Sequence, residues 1–170
     1  MVKKILTLGN STLWKHCSQV QNIKATGTIK AIRNLKDTLN NFKKRNGFGR
    51  AIAAPQIGIL KRIIYVDFPK ANISGAMISP KIIKKSKEKI QIWDDCFSFP
   101  DLLVKVKRAK EIKVEYQTED GEKRTISAAG DLSELLQHEI DHLDGILAVE
   151  RAIDGKSFAL RSEWEKFQKN

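Results

Sequence analysis

Apolar residues between Gly27 and Asn46 fall at Ile29, Ile32, Leu35, Leu39 and Phe42, the spacing of one helix face set between polar positions. A helix is predicted there, with Thr28 capping its start and Asn46-Gly47 ending it. The next stretch, GFGRAIAAPQIG, is built from small residues, and Pro55 forbids a regular helix interior, so it reads as a loop. Arg62 to Asp67 (RIIYVD) is a β-branched run with the look of a strand, and Met77–Ile83 and Ile90–Phe99 are further strands. Leu102 to Ala128 reads as a hairpin. VKVKRAKEIKVEYQ runs out to the turn Glu119-Asp120-Gly121 and RTISA returns, Asp-Gly being a strong hairpin turn. Gly130-Asp131 opens a second helix, with Asp131 and Glu134 spaced as in a capping box and Gly145 placed to stop it. The tail, about residues 156–168, reads as a short amphipathic helix. Helix, strands, hairpin and helix, with no repeat or linker between them, predict a single α+β domain over residues 1–170, its mixed or antiparallel strands gathered around a central helix.

Composition narrows the class. A chain of 170 residues with 41% hydrophobic and 30% charged residues suits one soluble domain with a real core. No apolar run approaches the roughly 20 residues of a membrane span, and no signal peptide is apparent, so the expected place is the cytoplasm, without membrane contact. In that reducing setting Cys17 and Cys96 are expected as free thiols, Cys17 packing as a small apolar residue. The balance of 31 basic to 20 acidic residues gives +11, with Lys43-Lys44-Arg45, Lys81 to Lys89 and Lys105-Lys107-Arg108 as the densest groups. Such charge keeps a protein soluble and attracts polyanions such as RNA. With aromatic content of 7% and no recognition-module signature, sequence-specific nucleic-acid binding is not expected.

The second helix changes the picture. In Gln137-His138-Glu139-Ile140-Asp141-His142-Leu143-Asp144-Gly145, two of the three histidines stand four residues apart. On a helix that spacing puts both on one face, able to aim imidazole nitrogens at one ion. Glu139 sits about 100° round, where it suits a general base acting on water activated by the ion. Two ligands do not make a site, and the third has two sources. Downstream, Glu163 or Glu165 would give a zinc peptidase. Upstream, the Cys96 thiolate would give a Cys-His-His set with a fourth position open, suited to zinc or ferrous iron. His16 is expected to be an ordinary surface or core residue.

Three segments make the chain resemble the peptide deformylases, a family marked by a G-x-G-L-A-A-x-Q loop, an E-G-C-L-S segment and a Q-H-E-x-D-H-L helix. Here they read Gly49-Arg50-Ala51-Ile52-Ala53-Ala54-Pro55-Gln56, then Asp94-Asp95-Cys96-Phe97-Ser98, then Gln137 through Leu143. The third matches in full. The first has Ala51 in place of a glycine, and the second keeps only its cysteine and serine. Their order and spacing, 40 residues from Gln56 to Cys96 and 42 from Cys96 to His138, also fit. The resemblance implies an enzyme that removes the formyl group from the N-terminal formylmethionine of nascent polypeptides. It implies one divalent ion, commonly ferrous iron with zinc accommodated, on Cys96, His138 and His142. It further implies Glu139 as proton carrier, the Gln56 amide and Phe97 backbone N–H as donors to the oxyanion, and substrate contacts from Gly49, Arg50 and Ala51. Formylated chains emerge at the ribosome, whose surface the basic charge suits; a basic RNA-binding relative without turnover is the alternative outside enzymes.

The departures carry their own expectations. Asp94 stands where the family has glutamate and is expected to pair with Arg108. Asp95 replaces a glycine and puts a side chain beside Cys96. Arg50 either faces solvent from its loop or meets the substrate's first side chain, which would alter the preference for plain methionine. Asp141 and Asp144 are candidates for orienting the histidines.

Overall fold

The computed structural model describes residues 1–168; Lys169 and Asn170, the end of the expected domain, lie outside the described residues. The first helix, α1 (Thr26–Asn46), buries Ile32, Leu35, Leu39 and Phe42 along the expected stripe, while Ile29 stays 46% exposed. Thr28 is not its cap: Ala25 holds that position without a side-chain bond, and the Thr28 hydroxyl donates back to the Asn22 carbonyl. Gly47 ends the helix in the left-handed conformation, as expected.

The stretch expected as loop contains a strand, β1 (Ala51–Ala53), before a 3-10 turn over Ala54–Ile57. Both faces of β1 are covered, so its alanines show no polar alternation to betray it. The same holds for β2 (Ile63–Phe68), whose Ile63 and Tyr65 pack with α1 while Ile64 and Val66 pack on the opposite side. The long β3 (Ile73–Lys85) is irregular around Pro80, which has no N–H for the ladder. β4 (Lys89–Asp95) and β5 (Leu102–Ala109) pair with each other, as do β6 (Glu111–Gln117) and β7 (Lys123–Ala129) around the expected turn at Gly121. The run expected as one outgoing strand is therefore two. It breaks at Lys110, whose backbone bonds to Glu88 and Gly130, and the chain passes there from one sheet to another.

The second helix, α2 (Gly130–Leu143), begins without the expected capping box. Ala129 is its cap residue, Asp131 sits in the first turn, and Glu134 is buried against Arg50. The tail is also corrected: Phe158–Leu160 forms β8, an edge strand on β5, and only Arg161–Gln168 is helix (α3). The free edge of β5 takes up main-chain bonds that an amphipathic reading of the tail does not foresee. All strand pairs are antiparallel, in a five-stranded sheet ordered β1-β2-β3-β6-β7 and a three-stranded sheet ordered β4-β5-β8.

This is the expected α+β architecture, with α2 between the layers. Leu135, Leu136, Ile140 and Leu143 pack on Ile64, Val66, Met77 and Val114 of the larger sheet. Each side chain of this size removed from water contributes roughly 1.5–3 kcal/mol. The smaller sheet has its own cluster, in which Cys96 packs with Leu13, Val104, Val106 and Leu147. No helix among the described residues is long and apolar enough to cross a membrane.

Candidate metal centre

α2 is held in register by its polar residues as well as its apolar ones. Gln137 clamps both backbone groups of Ala109 at the sheet switch: its Oε1 accepts from the Ala109 N–H at 3.0 Å and its Nε2 donates to the Ala109 carbonyl at 2.9 Å. Ser133 donates to the same carbonyl at 2.8 Å. The clamp leaves His138 and His142 facing the turn that follows β4. Their Nε2 atoms lie 3.1 Å apart, and Cys96 Sγ lies 3.3 Å from that of His142. The three ligand-capable atoms fall within 4.8 Å of one another, and all three residues are buried.

Two carboxylates complete the interior. Asp94 Oδ1 lies 2.8 Å from His138 Nδ1, which aims Nε2 at the other ligand-capable atoms. Its Oδ2 accepts from Arg108 Nη2 at 2.9 Å, so the expected Asp94–Arg108 pair is present, and it is deeply buried. Burial works against the Asp94 charge, yet His138 and Arg108 outweigh it and hold the carboxyl down at about 2. Burial likewise opposes a charged His138, but Asp94 and the Cys96 sulfur raise it well above the usual histidine range. Burial and the neighbouring His138 charge push His142 well below that range. Glu139 is pushed up to about 7, mainly by burial.

Around this group opens a cleft of about 340 Å3, lined among others by Gln56, Phe97, Glu139 and the residues that lead into β1, Gly49, Arg50 and Ala51. Gln56 is pre-oriented: its Oε1 accepts from the Ala53 N–H at 2.9 Å, which turns its Nε2 to Cys96 Sγ at 3.6 Å and Ser98 Oγ at 3.4 Å. Gly49 approaches Phe97 so closely that a Cβ would lie 2.9 Å from the Phe97 ring, and its φ of 135° suits glycine alone. Phe97 is stacked on Phe42 at 3.8 Å between ring centres. Arg50 is not a solvent-facing loop residue. It lines the cleft, pairs with Glu134 and lies over the Phe68 ring.

The expected residues thus converge, with His142 just behind the cleft wall. The downstream glutamates do not. Glu163 pairs with Lys166 on an exposed helix, and neither it nor Glu165 joins the ligand-capable group. Asp141 and Asp144 do not touch the histidines either: Asp141 pairs with Arg108 and Arg151, and Asp144 with Arg62. His16 is exposed and is not part of the ligand-capable group. Four participants were not foreseen, namely Asp94 as the partner of His138, Gln137 as a clamp, and Glu134 and Arg161 as cleft walls. A residue four before His138 on a buried helix, as Glu134 is, was the one available signal.

The donor set fits a divalent ion. Among the described residues one sulfur and two Nε2 atoms converge without a fourth protein donor, and neither Glu139 Oε2 nor His142 Nδ1, both buried, has a hydrogen-bond partner. Comparison with known proteins agrees. Residues 2–158 match the family described as Polypeptide deformylase. The peptide deformylase of Pseudothermotoga lettingae is 37% identical over 163 residues, covering 96% of this chain and 90% of that protein. Peptide deformylase 2 of Clostridium acetobutylicum is 42% identical over 114 residues, 67% of this chain and 71% of its own. The crystal structure of peptide deformylase from Thermotoga maritima superposes with a TM-score of 0.82 at 30% identity, covering 91% of this chain and 99% of that one.

Proposed function

The chain belongs to the polypeptide deformylase family, and from that premise we propose how its own residues carry out the reaction. It is a metal-dependent hydrolase that removes the formyl group from the N-terminus of formylated nascent peptides. Cys96, His138 and His142 hold the ion; the supporting observation is their convergence in one buried group beside the cleft that Glu139 and Gln56 line. An ion held there supplies Lewis acidity to the formyl carbonyl and to the attacking water. Glu139 takes the water's proton and delivers it to the peptide nitrogen as the C–N bond breaks, so that water and formyl peptide become formate and a free amine. Burial first, with the Asp94 and Glu134 carboxylates beside it, holds Glu139 up at about 7 against the pull of His138 and Arg50, which suits a group that must both accept and return a proton. The Gln56 amide and the Phe97 N–H donate to the formyl oxygen as it gains charge. Gly49, Arg50 and Ala51 bind the peptide where the chain enters β1.

In this reading the ion is ferrous iron, with zinc as the other metal that one thiolate and two imidazoles suit. Residues 1–170 act as one catalytic domain. The exposed lysines of the β3–β4 arm (Lys81, Lys84, Lys85, Lys87 and Lys89) support a position at the ribosome surface, and hence in the cytoplasm. The test is formate release from a formyl-Met peptide by protein purified without oxygen and loaded with ferrous iron, beside Glu139→Ala. The variant should keep its metal and lose about 10²–10⁴ of the rate. Equal rates would remove Glu139 from the mechanism, and no release by metal-loaded wild type would remove the activity.

A further inference from the structure

The cleft above Cys96 and His138 has two charged walls. Arg50 Nη2 donates to Glu134 Oε2 at 2.8 Å, and Arg161 Nη2 donates to Asp95 Oδ2 at 2.9 Å; all four side chains line the one cleft. None of them is loose. Arg50 lies over the Phe68 ring at 5.5 Å and Glu134 is buried, while Arg161 lies over the Phe48 ring at 4.5 Å and also donates to the Pro100 carbonyl at 2.8 Å. Arg161 lies beyond the segment that matches the family, yet it reaches back to the residue beside Cys96.

These walls bear on the substrate's first side chain. Glu139 must reach the nitrogen that leaves, and that side chain branches one carbon from the nitrogen. Leu135 lies one turn before Glu139 on the same face of α2, with Glu134 next to it and Arg50 across from it. A side chain running from the nitrogen along α2 therefore leaves an apolar contact with Leu135 and arrives at fixed donors and acceptors. A thioether or methyl group laid there strips water from a guanidinium and a carboxylate and returns little. A primary amide of the same length replaces the lost water by donating to Glu134 and accepting from Arg50.

Resting on the deformylase reading, we propose that the Arg50–Glu134 pair is a specificity determinant, one that flattens the preference for methionine over first residues of similar length with a polar end, glutamine being the test case. The experiment compares kcat/KM for formate release from formyl-Met and formyl-Gln peptides of otherwise identical sequence, in wild type and in Arg50→Leu/Glu134→Leu. Wild type should favour methionine by less than about twentyfold, and the double variant should raise that ratio by at least about fivefold, since its wall suits the thioether and leaves an amide unpaired. A wild-type ratio above about twentyfold, or a ratio that the variant leaves unchanged or lowers, overturns the proposal. If the variant shows no cooperative melting, the wild-type ratio alone decides. Absence of formate from both peptides would bring down the activity itself, an outcome distinct from a steep preference for methionine.

Discussion

Arg108→Ala should destabilise this protein severely, although the sequence places Arg108 in a basic surface-like run. The guanidinium is 4% exposed and bonds Asp94, itself 1% exposed, through Nη2 and Asp141 through Nη1. Removing one partner of a buried ion pair costs about 3–5 kcal/mol, because the remaining charge is left without compensation. Here the lower end applies, since Asp94 keeps His138 at 2.8 Å and Asp141 keeps Arg151 at 2.9 Å. About 3 kcal/mol is a large share of the 5–15 kcal/mol that holds a typical domain. At this chain length it corresponds to a fall in Tm of roughly 6–12 °C. The assay is urea unfolding followed by circular dichroism, on metal-loaded and on chelated protein. A neutral pair, Asp94→Asn/Arg108→Met, should recover at least about 1 kcal/mol of the loss, because it leaves no lone charge. The pH dependence should change as well. Asp94 is depressed to about 2, so its contribution is complete above the ordinary carboxylate value and is lost only as pH falls from there through about 2. Without Arg108 the folded value rises toward the ordinary one, so this contribution should shrink and its loss should be complete at a higher pH. A cost below about 1 kcal/mol, or a double variant no better than the sum of its singles, would refute the reasoning.

Three further outcomes follow from the geometry. Gly49→Ala, at φ 135° and with its new Cβ 2.9 Å from the Phe97 ring, should cost about 1–3 kcal/mol and lower kcat/KM by displacing Phe97; unchanged values in urea unfolding and kinetics would show that the segment yields. Burial pushes the Cys17 thiol up to about 11, so at pH 8 alkylation should be slow and should quicken with each added pH unit; the same shift favours the folded state below about 9 and is lost as pH rises through about 11, and rapid labelling of folded protein at pH 8 would contradict it. A chelator should lower Tm in wild type and in Glu163→Ala but not in Cys96→Ser, by an amount set by the lost binding energy, about 4 kcal/mol if the ion was at a thousand times its Kd. Equal falls in all three would take Cys96 out of the ligand set.

What could be read from the chain was what chemistry or packing fixes over short distances. Two histidines and a glutamate must share a helix face at a set spacing, so His138, Glu139 and His142 announced themselves, and α1 and β2 did so by unbroken apolar patterns. What escaped joins residues far apart or breaks no pattern. Asp94 meets His138 across 44 positions and Asp95 meets Arg161 across 66, and neither span leaves a local trace. The strand switch at Lys110 is silent because the buried even-numbered positions, Val104, Val106, Arg108, Ile112 and Val114, run through it in one phase. β1 is silent because two buried alanines around one isoleucine, in a run of small residues, look like a loop. Arg108 was half legible: its partner was anticipated, but its lysine-rich surroundings suggested a surface that the fold does not give it.

The three ligand-capable atoms belong to different layers. Cys96 is part of the packing cluster of the smaller sheet, whereas His138 and His142 ride on a helix whose apolar side is sunk into the larger one. An ion shared among them would work as a removable staple between layers, closing a 42-residue loop without a covalent bond. Release of the ion would then loosen the join between the layers. Exchange should be governed by the opening of the protein rather than by the ligand bonds alone, quickening in mild denaturant well before the chain unfolds.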